Sequence, residues 1–304
     1  MLDKVKRKLN TLESFLSDGR YDKVLRHGYR NLMRPIINRN YSFGDQFNVV
    51  DEEWDTLILL DACRYDTFEK ENFLEGSLDS RYSKASRTYE WLTRTFTEDQ
   101  YDDIVYVSAN PHTQNAINGK EIFHDVKNVF QTNWNNEYGT VMPDAVSKTA
   151  KELRKEHPSK KLIIHYIQPH APYIGDKEVY TGDLDPDSWR PTLMDELAYG
   201  DGDAEDFYEA YVSNLHAALD SVEKLLPSLQ GDQVVISSDH GELFGEKKFY
   251  GHPADLAVED LVKVPWFAVD IEAYEREEEG FKKLSEGDDA EIKEKLEALG
   301  YGSK

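Results

Sequence analysis

A single cysteine, Cys63, stands in 304 residues, which excludes a disulfide framework and any Cys-rich zinc site. Long apolar runs are missing too. No stretch approaches the roughly 18 residues of a membrane span, and no N-terminal stretch has the basic, apolar, small-residue order of a signal peptide. The expectation is a soluble cytoplasmic protein. Basic residues are also few, with Lys+Arg 36 against Asp+Glu 59 and a net charge of −23. Broad nucleic-acid binding depends on clustered Lys and Arg, so it is excluded. An anionic substrate would need a local cation. Internal repeats and low-complexity segments are likewise absent.

Aromatic residues, by contrast, are plentiful: 18 Tyr, 13 Phe and 5 Trp within a 39% hydrophobic chain exceed what a disordered acidic sequence carries. The negative charge therefore sits on a folded surface, a pattern expected of a salt-adapted, halophilic protein, with an ordinary acidic protein as the alternative. That charge is uneven. Residues 1–41 hold ten Lys/Arg against four Asp/Glu, a net +6 that leaves −29 on the rest. Leu2, Val5, Leu9, Leu12 and Leu16 recur at helical spacing, so residues 1–45 read as a basic amphipathic helical arm. Packing of this arm on the acidic body is the expectation, with peripheral membrane contact through residues 1–41 as the other destination. Residues 271–304 form an acid-rich tail with a short helical pattern at Glu291–Leu299.

Residues 46–270 lie between them. Thr56–Leu60, Ile104–Ser108, Lys161–Ile167, Val234–Ser237 and Val264–Val269 are predicted strands, and Ala145–Glu156 and Glu205–Leu226 predicted helices. Such alternation predicts an α/β sheet covered on both faces, with ligands beyond the carboxyl ends of its strands.

Two of those strand ends carry chemistry-type residues. The run Thr56–Leu60 delivers Asp61, and Val234–Ser238 delivers Asp239 and His240. Two carboxylates and an imidazole there suit a divalent ion, Zn²⁺ or Mn²⁺ before Ca²⁺ or Mg²⁺. Read singly, Asp61 is equally a helix cap and Asp-His-Gly equally a turn. Further candidates are the hydroxyls of Ser83, Ser86 and Thr88 beside the cations Lys84 and Arg87, then His170 between Pro169 and Pro172, and His252 in Gly-His-Pro. Arg64 is a third cation near these segments.

Taken in order, Leu-Leu-Asp-Ala-Cys-Arg-Tyr-Asp at 59–66, Arg-Thr-Tyr-Glu-Trp at 87–91, Gln-Pro-His-Ala-Pro-Tyr at 168–173, Ser-Asp-His-Gly-Glu at 238–242 and Gly-His-Pro at 251–253 resemble the alkaline phosphatase superfamily, in its sulfatase-like and lipoteichoic acid synthase-like branch. The resemblance implies a three-layer α/β/α sandwich around a mostly parallel sheet. It further implies a metal held by Asp61, Asp239, His240 and Thr88, with Thr88 as nucleophile and Ser86 or Ser83 ranked below it. His170 would contact the substrate's anionic group. His252 would serve as a second-metal ligand or as a substrate contact and acid. No C-x-P-x-R segment for formylglycine is present, Leu60 rather than a second Asp precedes Asp61, and Asn214 and His216 do not make a D-x-x-x-H second metal site. The expected activity is therefore one-metal hydrolysis or transfer at a phosphate-type ester, the substrate being a small anionic ester or a glycan. Sulfate-ester hydrolysis and a catalytically silent glycan- or partner-binding protein are the alternatives. Cys63 is expected to be a packing residue.

Overall fold

Along β1 (Thr56–Asp61) every residue is buried, and successive side chains enter opposite layers. Ile58 and Leu60 join one apolar cluster; Leu57 and Leu59 join another. A strand buried on both faces needs helices above and below it. The computed structural model, which describes residues 21–38, 47–97, 100–117, 122–175, 203–229 and 231–274, supplies them. The helices are α1 (Tyr21–Ile37), α2 (Tyr65–Glu71), α3 (Thr88–Thr95), α4 (Pro111–Ile117), α5 (Pro143–Glu156), α6 (Ala204–Leu225) and α7 (Glu259–Val262). Val146 and Leu153 of α5 and Leu215, Leu219 and Val222 of α6 pack on the Ile58 side. Trp91 and Leu92 of α3 and Ile117 of α4 cover the other. The three-layer expectation is met.

The central sheet has seven strands in the order β2-β11-β8-β1-β7-β3-β4. Its members are β1, β2 (Gly76–Tyr82), β3 (Tyr101–Ser108), β4 (Phe123–Asn128), β7 (Lys161–Pro169), β8 (Val234–Ser237) and β11 (Lys263–Val269). Only β11 runs against its neighbours β8 and β2, so the sheet is mostly parallel. Two ribbons flank it, β5 (Trp134–Asn135) with β6 (Thr140–Val141), and β9 (Leu243–Phe244) with β10 (Tyr250–Gly251). All five predicted strands and both predicted helices are present, with ends moved by three residues at most. The edge strands β2 and β4 were not predicted. The run Leu2–Leu16 and the pattern Glu291–Leu299 lie outside the described residues. Among those described, no helix is long and apolar enough to cross a membrane.

Arg64 is committed to the fold. Its side chain is only 7% exposed and is saturated by carboxylates: Asp66 at 2.6 Å, Glu246 at 2.5 Å and Asp260 at 3.1 Å. A guanidinium clamped this way ties the segment after β1 to the segments before β10 and β11, and it is not available to a substrate. Arg64→Met should cost about 2–3 kcal/mol in chemical denaturation at pH 7, less than the loss of a fully buried pair because Asp66 is more than half exposed. Against the opposing effect of burial, the hydrogen bonds and charge of Arg64 hold Asp66 below the usual carboxylate range. That contribution is complete above the unfolded value of about 3.9 and is lost as pH falls through the lowered folded value. The stability difference between the two proteins should therefore begin to shrink only as pH falls below about 4.

Candidate active site

The sheet order sets the site. β1 lies between β8 and β7, with Leu59 opposite Ser237 and Asp61 opposite Pro169, so the residues that follow three adjacent strand ends converge. Ala62, just beyond Asp61, is left-handed at φ 60°, an uncommon conformation for a residue with a Cβ. The turn aims its N–H at Asp239 Oδ1, 3.1 Å away, while the next N–H, of Cys63, reaches Ser238 Oγ at 2.8 Å. Gly241 has a different constraint. A Cβ there would overlap the Asp260 carbonyl, so the Asp-His-Gly-Glu turn can pack on the segment before β11 only as glycine.

The ligating atoms of Asp61, Asp239 and His240 all lie within 4.8 Å of one another, and all three residues are buried. His240 Nδ1 lies 2.8 Å from the Gly241 carbonyl, which can only accept, so Nδ1 carries the proton and Nε2 the lone pair. That lone pair is 3.4 Å from Asp239 Oδ2, 3.7 Å from Asp61 Oδ1 and 3.3 Å from Thr88 Oγ1. Thr88 opens α3 directly after its N-cap, Arg87, and its hydroxyl sits 3.4 Å from both Asp61 oxygens. Asn110, just beyond β3, donates Nδ2 to Asp61 Oδ2 and accepts the His112 N–H.

Charge decides what this cluster can hold. Burial, then the neighbouring Asp239 charge, pushes the Asp61 carboxyl well above its usual range. Burial likewise holds His240 below its usual value, so it brings no compensating cation. Asp239 Oδ2 is buried with no hydrogen-bond partner. Two dry carboxylates, one with a vacant oxygen, and a neutral imidazole whose lone pair faces them make a donor set that fits a divalent cation.

A second group adjoins it. His170, Glu242 and His252 also bring their ligating atoms within 4.8 Å of one another. Glu242 is 1% exposed, and its two oxygens lie 3.1 and 3.0 Å from His252 Nδ1. Burial pushes Glu242 up to about 7 and both histidines down to about 4. His170 Nδ1 donates to the Ala171 carbonyl at 2.5 Å, leaving Nε2 free. Asn214 of α6, fully buried, holds the loop around it. Its Nδ2 donates to the carbonyls of Pro169, His170 and Pro172, and its Oδ1 accepts the Ile174 N–H.

A cleft of about 590 Å³ opens over Asp61, Thr88, His170 and His252. Exposed Arg87 stands on its wall, where, after burial, its charge helps keep His112 and His252 unprotonated. Of the three cations near the motifs, Arg87 alone lines the cleft; Lys84 Nζ faces the Arg94 carbonyl at 3.5 Å. Ser83 donates to backbone carbonyls of Ala85 and Asp239, and Ser86 to that of Pro253, and neither lines the cleft. Cys63 is a buried free thiol, in keeping with packing. Three residues escaped the sequence reading of the site: Glu242, which stood inside a quoted motif, and Asn110 and Asn214, which no local pattern marks.

The fold and site together define an α/β protein with a metal-type cluster at the carboxyl edge of its sheet. The sequence matches no protein-family profile and no curated protein. Among solved structures, the chain is similar to the soluble domain of lipooligosaccharide phosphoethanolamine transferase A from Neisseria meningitidis, at 15% identity and a TM-score of 0.49, covering 75% of this chain and 82% of that one. It is also similar to the lipoteichoic acid synthase LtaP from Listeria monocytogenes, at 14% identity and a TM-score of 0.44, over 70% of this chain and 64% of that one. A 2-O GAG sulfatase matches at 14% identity and a TM-score of 0.44, over 72% and 64%. The chain thus spans just under two thirds of the last two.

Proposed function

We propose that the protein is a divalent-metal-dependent hydrolase or transferase acting on phosphate-type esters through the Thr88 hydroxyl. The observation that carries this reading is the position of Thr88 Oγ1, 3.3–3.4 Å from His240 Nε2 and both Asp61 oxygens, at the floor of an open cleft. Asp61, Asp239, His240 and Thr88 would hold the ion, which supplies a lowered hydroxyl pKa and charge neutralisation when bound. Zn²⁺ and Mn²⁺ suit the mixed oxygen and nitrogen donors.

The chain's own groups account for the remaining steps. Thr88 Oγ, its hydroxyl proton having been lost to solvent, attacks phosphorus, the Thr88 O–P bond forms and the bond to the leaving oxygen breaks. Glu242, near 7, and His252 share a proton at the cleft wall, and His252 delivers it to the leaving oxygen. Water or an alcohol then displaces the phosphoryl group from Thr88 while the same pair takes the proton back. Arg87 offsets charge on the non-bridging oxygens. His170 and His252, with Glu242, could alternatively bind a second ion, and metal stoichiometry separates that arrangement from a proton relay.

A panel of aryl phosphate monoester, phosphate diester and sulfate, run on metal-loaded and chelator-treated protein, tests the proposal. Turnover of a phosphate ester that disappears with chelator is the expected outcome. Preference for the sulfate would move the reading to sulfate-ester hydrolysis, and metal binding without turnover of any ester would make the chain a binding protein.

A further inference from the structure

The contacts of α1 gather on one stretch of chain. Its Met33 and Ile37 pack with Leu243, Phe249 and Leu256, Arg30 lies over the Phe249 ring at 5.4 Å, and Lys248 lies over the Tyr29 ring at 5.2 Å. Leu243 follows Glu242, and Phe249 and Leu256 bracket His252, so the helix bears on the segment that carries the proton pair. Asn38, just past the helix, continues this grip. Its Nδ2 donates to the Asp255 carbonyl at 2.6 Å, and its Oδ1 accepts the Ala257 N–H at 3.0 Å.

The loop beyond His252 depends on such contacts. Among the described residues, 253–257 make no backbone–backbone hydrogen bond, and Asp255 is left-handed at φ 52°, a conformation that surrounding contacts must impose. Side chains supply them from two sides. From the Thr88 side, Ser86 binds the Pro253 carbonyl and the Leu256 N–H, and Arg94 meets the Asp255 carboxylate at 2.8 Å. From the α1 side, Asn38 holds the carbonyl of Asp255 itself and so fixes its left-handed turn. The His252 ring is fixed in orientation but not in depth: Nδ1 faces Glu242, and the His240 and His170 rings lie 4.8 and 5.0 Å from its own. How far it reaches into the cleft is left to the backbone behind it. We infer that Asn38 is a positioning residue, which through the Asp255 turn sets the depth at which His252 meets the leaving oxygen. The inference rests on the proton role given to His252 above. In that role His252 gives up a proton as the bond between phosphorus and the leaving oxygen breaks, and the leaving group departs as a neutral alcohol. A misplacement of about 1 Å can cost about a hundredfold in such a step.

Leaving groups that differ in their need for that proton provide the test, on the metal-loaded full chain. A para-nitrophenolate departs as the anion, whereas an alkoxide requires protonation. Asn38→Ala should therefore lower turnover of a dialkyl phosphate at least about tenfold more than that of an alkyl para-nitrophenyl phosphate, with metal content unchanged. His252→Ala should discriminate between the two esters in the same way, and adding Asn38→Ala to it should change neither rate by more than about twofold. Hydrogen exchange reads the loop without turnover: amides 254–257 should exchange at least about tenfold faster in Asn38→Ala, with those of α3 and β8 unchanged. Equal fractional losses on both esters, additive losses in the double variant, or unaltered exchange in the loop would each overturn the inference while leaving His252 as the acid. His252→Ala without discrimination between the esters would instead overturn its proton role, and this positioning with it.

Discussion

Asp239→Asn combined with His240→Ala is expected to reduce metal occupancy to below about a tenth of the parent's and turnover by at least about a thousandfold, a barrier increase of about 4 kcal/mol. Stability makes the result diagnostic. Were Asp239 only a structural turn residue, replacing it would destabilise the fold. Asp239 Oδ1, however, accepts the Ala62 and His240 N–H groups, and an asparagine oxygen can do the same. The charge on Oδ2 meets no donor. Without metal, a buried carboxylate of that kind is a liability, and removing it costs nothing or stabilises. The Asp239→Asn single variant, which keeps the buried His240 and its bond to the Gly241 carbonyl, should thus melt no lower than the parent when both are metal-free. The parent should gain about 4 kcal/mol at an ion concentration a thousand times its dissociation constant, a gain the variant lacks. A variant that keeps full occupancy, measured by metal analysis, would refute the assignment.

How much of this was legible in the sequence depended on where each residue's partners lie. β1, β7 and β8 run through the interior and are apolar on both faces, so they stood out as runs. β2, Gly-Ser-Leu-Asp-Ser-Arg-Tyr, and β4, Phe-His-Asp-Val-Lys-Asn, are half-exposed edges whose polar residues imitate loops. Asp61, Asp239 and His240 were readable because a strand delivers each of them to the carboxyl edge of the sheet. Asn214 was not, because it stands mid-helix among Tyr211, Leu215 and Ala218, and its role rests on a loop some forty residues earlier in the chain. Asn110 follows a strand, as Asp61 does, yet its target lies two strands away across the sheet. Arg64 stands apart from both cases. The sequence left it open between a cation facing the substrate and one on the surface, because two of the carboxylates that hold it, Glu246 and Asp260, are distant in sequence.

Thr88→Ala should lower turnover of the best phosphate ester by at least about a thousandfold with the metal still bound, because the variant keeps Asp61, Asp239 and His240 and removes only the attacking oxygen. Thr88 is 5% exposed and hydrogen-bonds only within the site, so loss of its Oγ1 leaves α3 in place. Thr88→Ser retains the oxygen and should recover activity to within about a hundredfold of the parent, the deficit reflecting a less restricted rotamer. Ser86→Ala is the control. Its hydroxyl bridges Pro253 and Leu256, so that variant should lose some stability and little turnover per folded molecule. Rapid acid quench of the parent with a diester should trap the phosphoryl group on the peptide containing Thr88, and mass spectrometry of that peptide locates it. Thr88→Ala turning over within about tenfold of the parent, equivalent to only about 1.4 kcal/mol, would remove Thr88 from nucleophilic catalysis. The attack would then fall to water, with Glu242, His252 and His170 able to accept its proton.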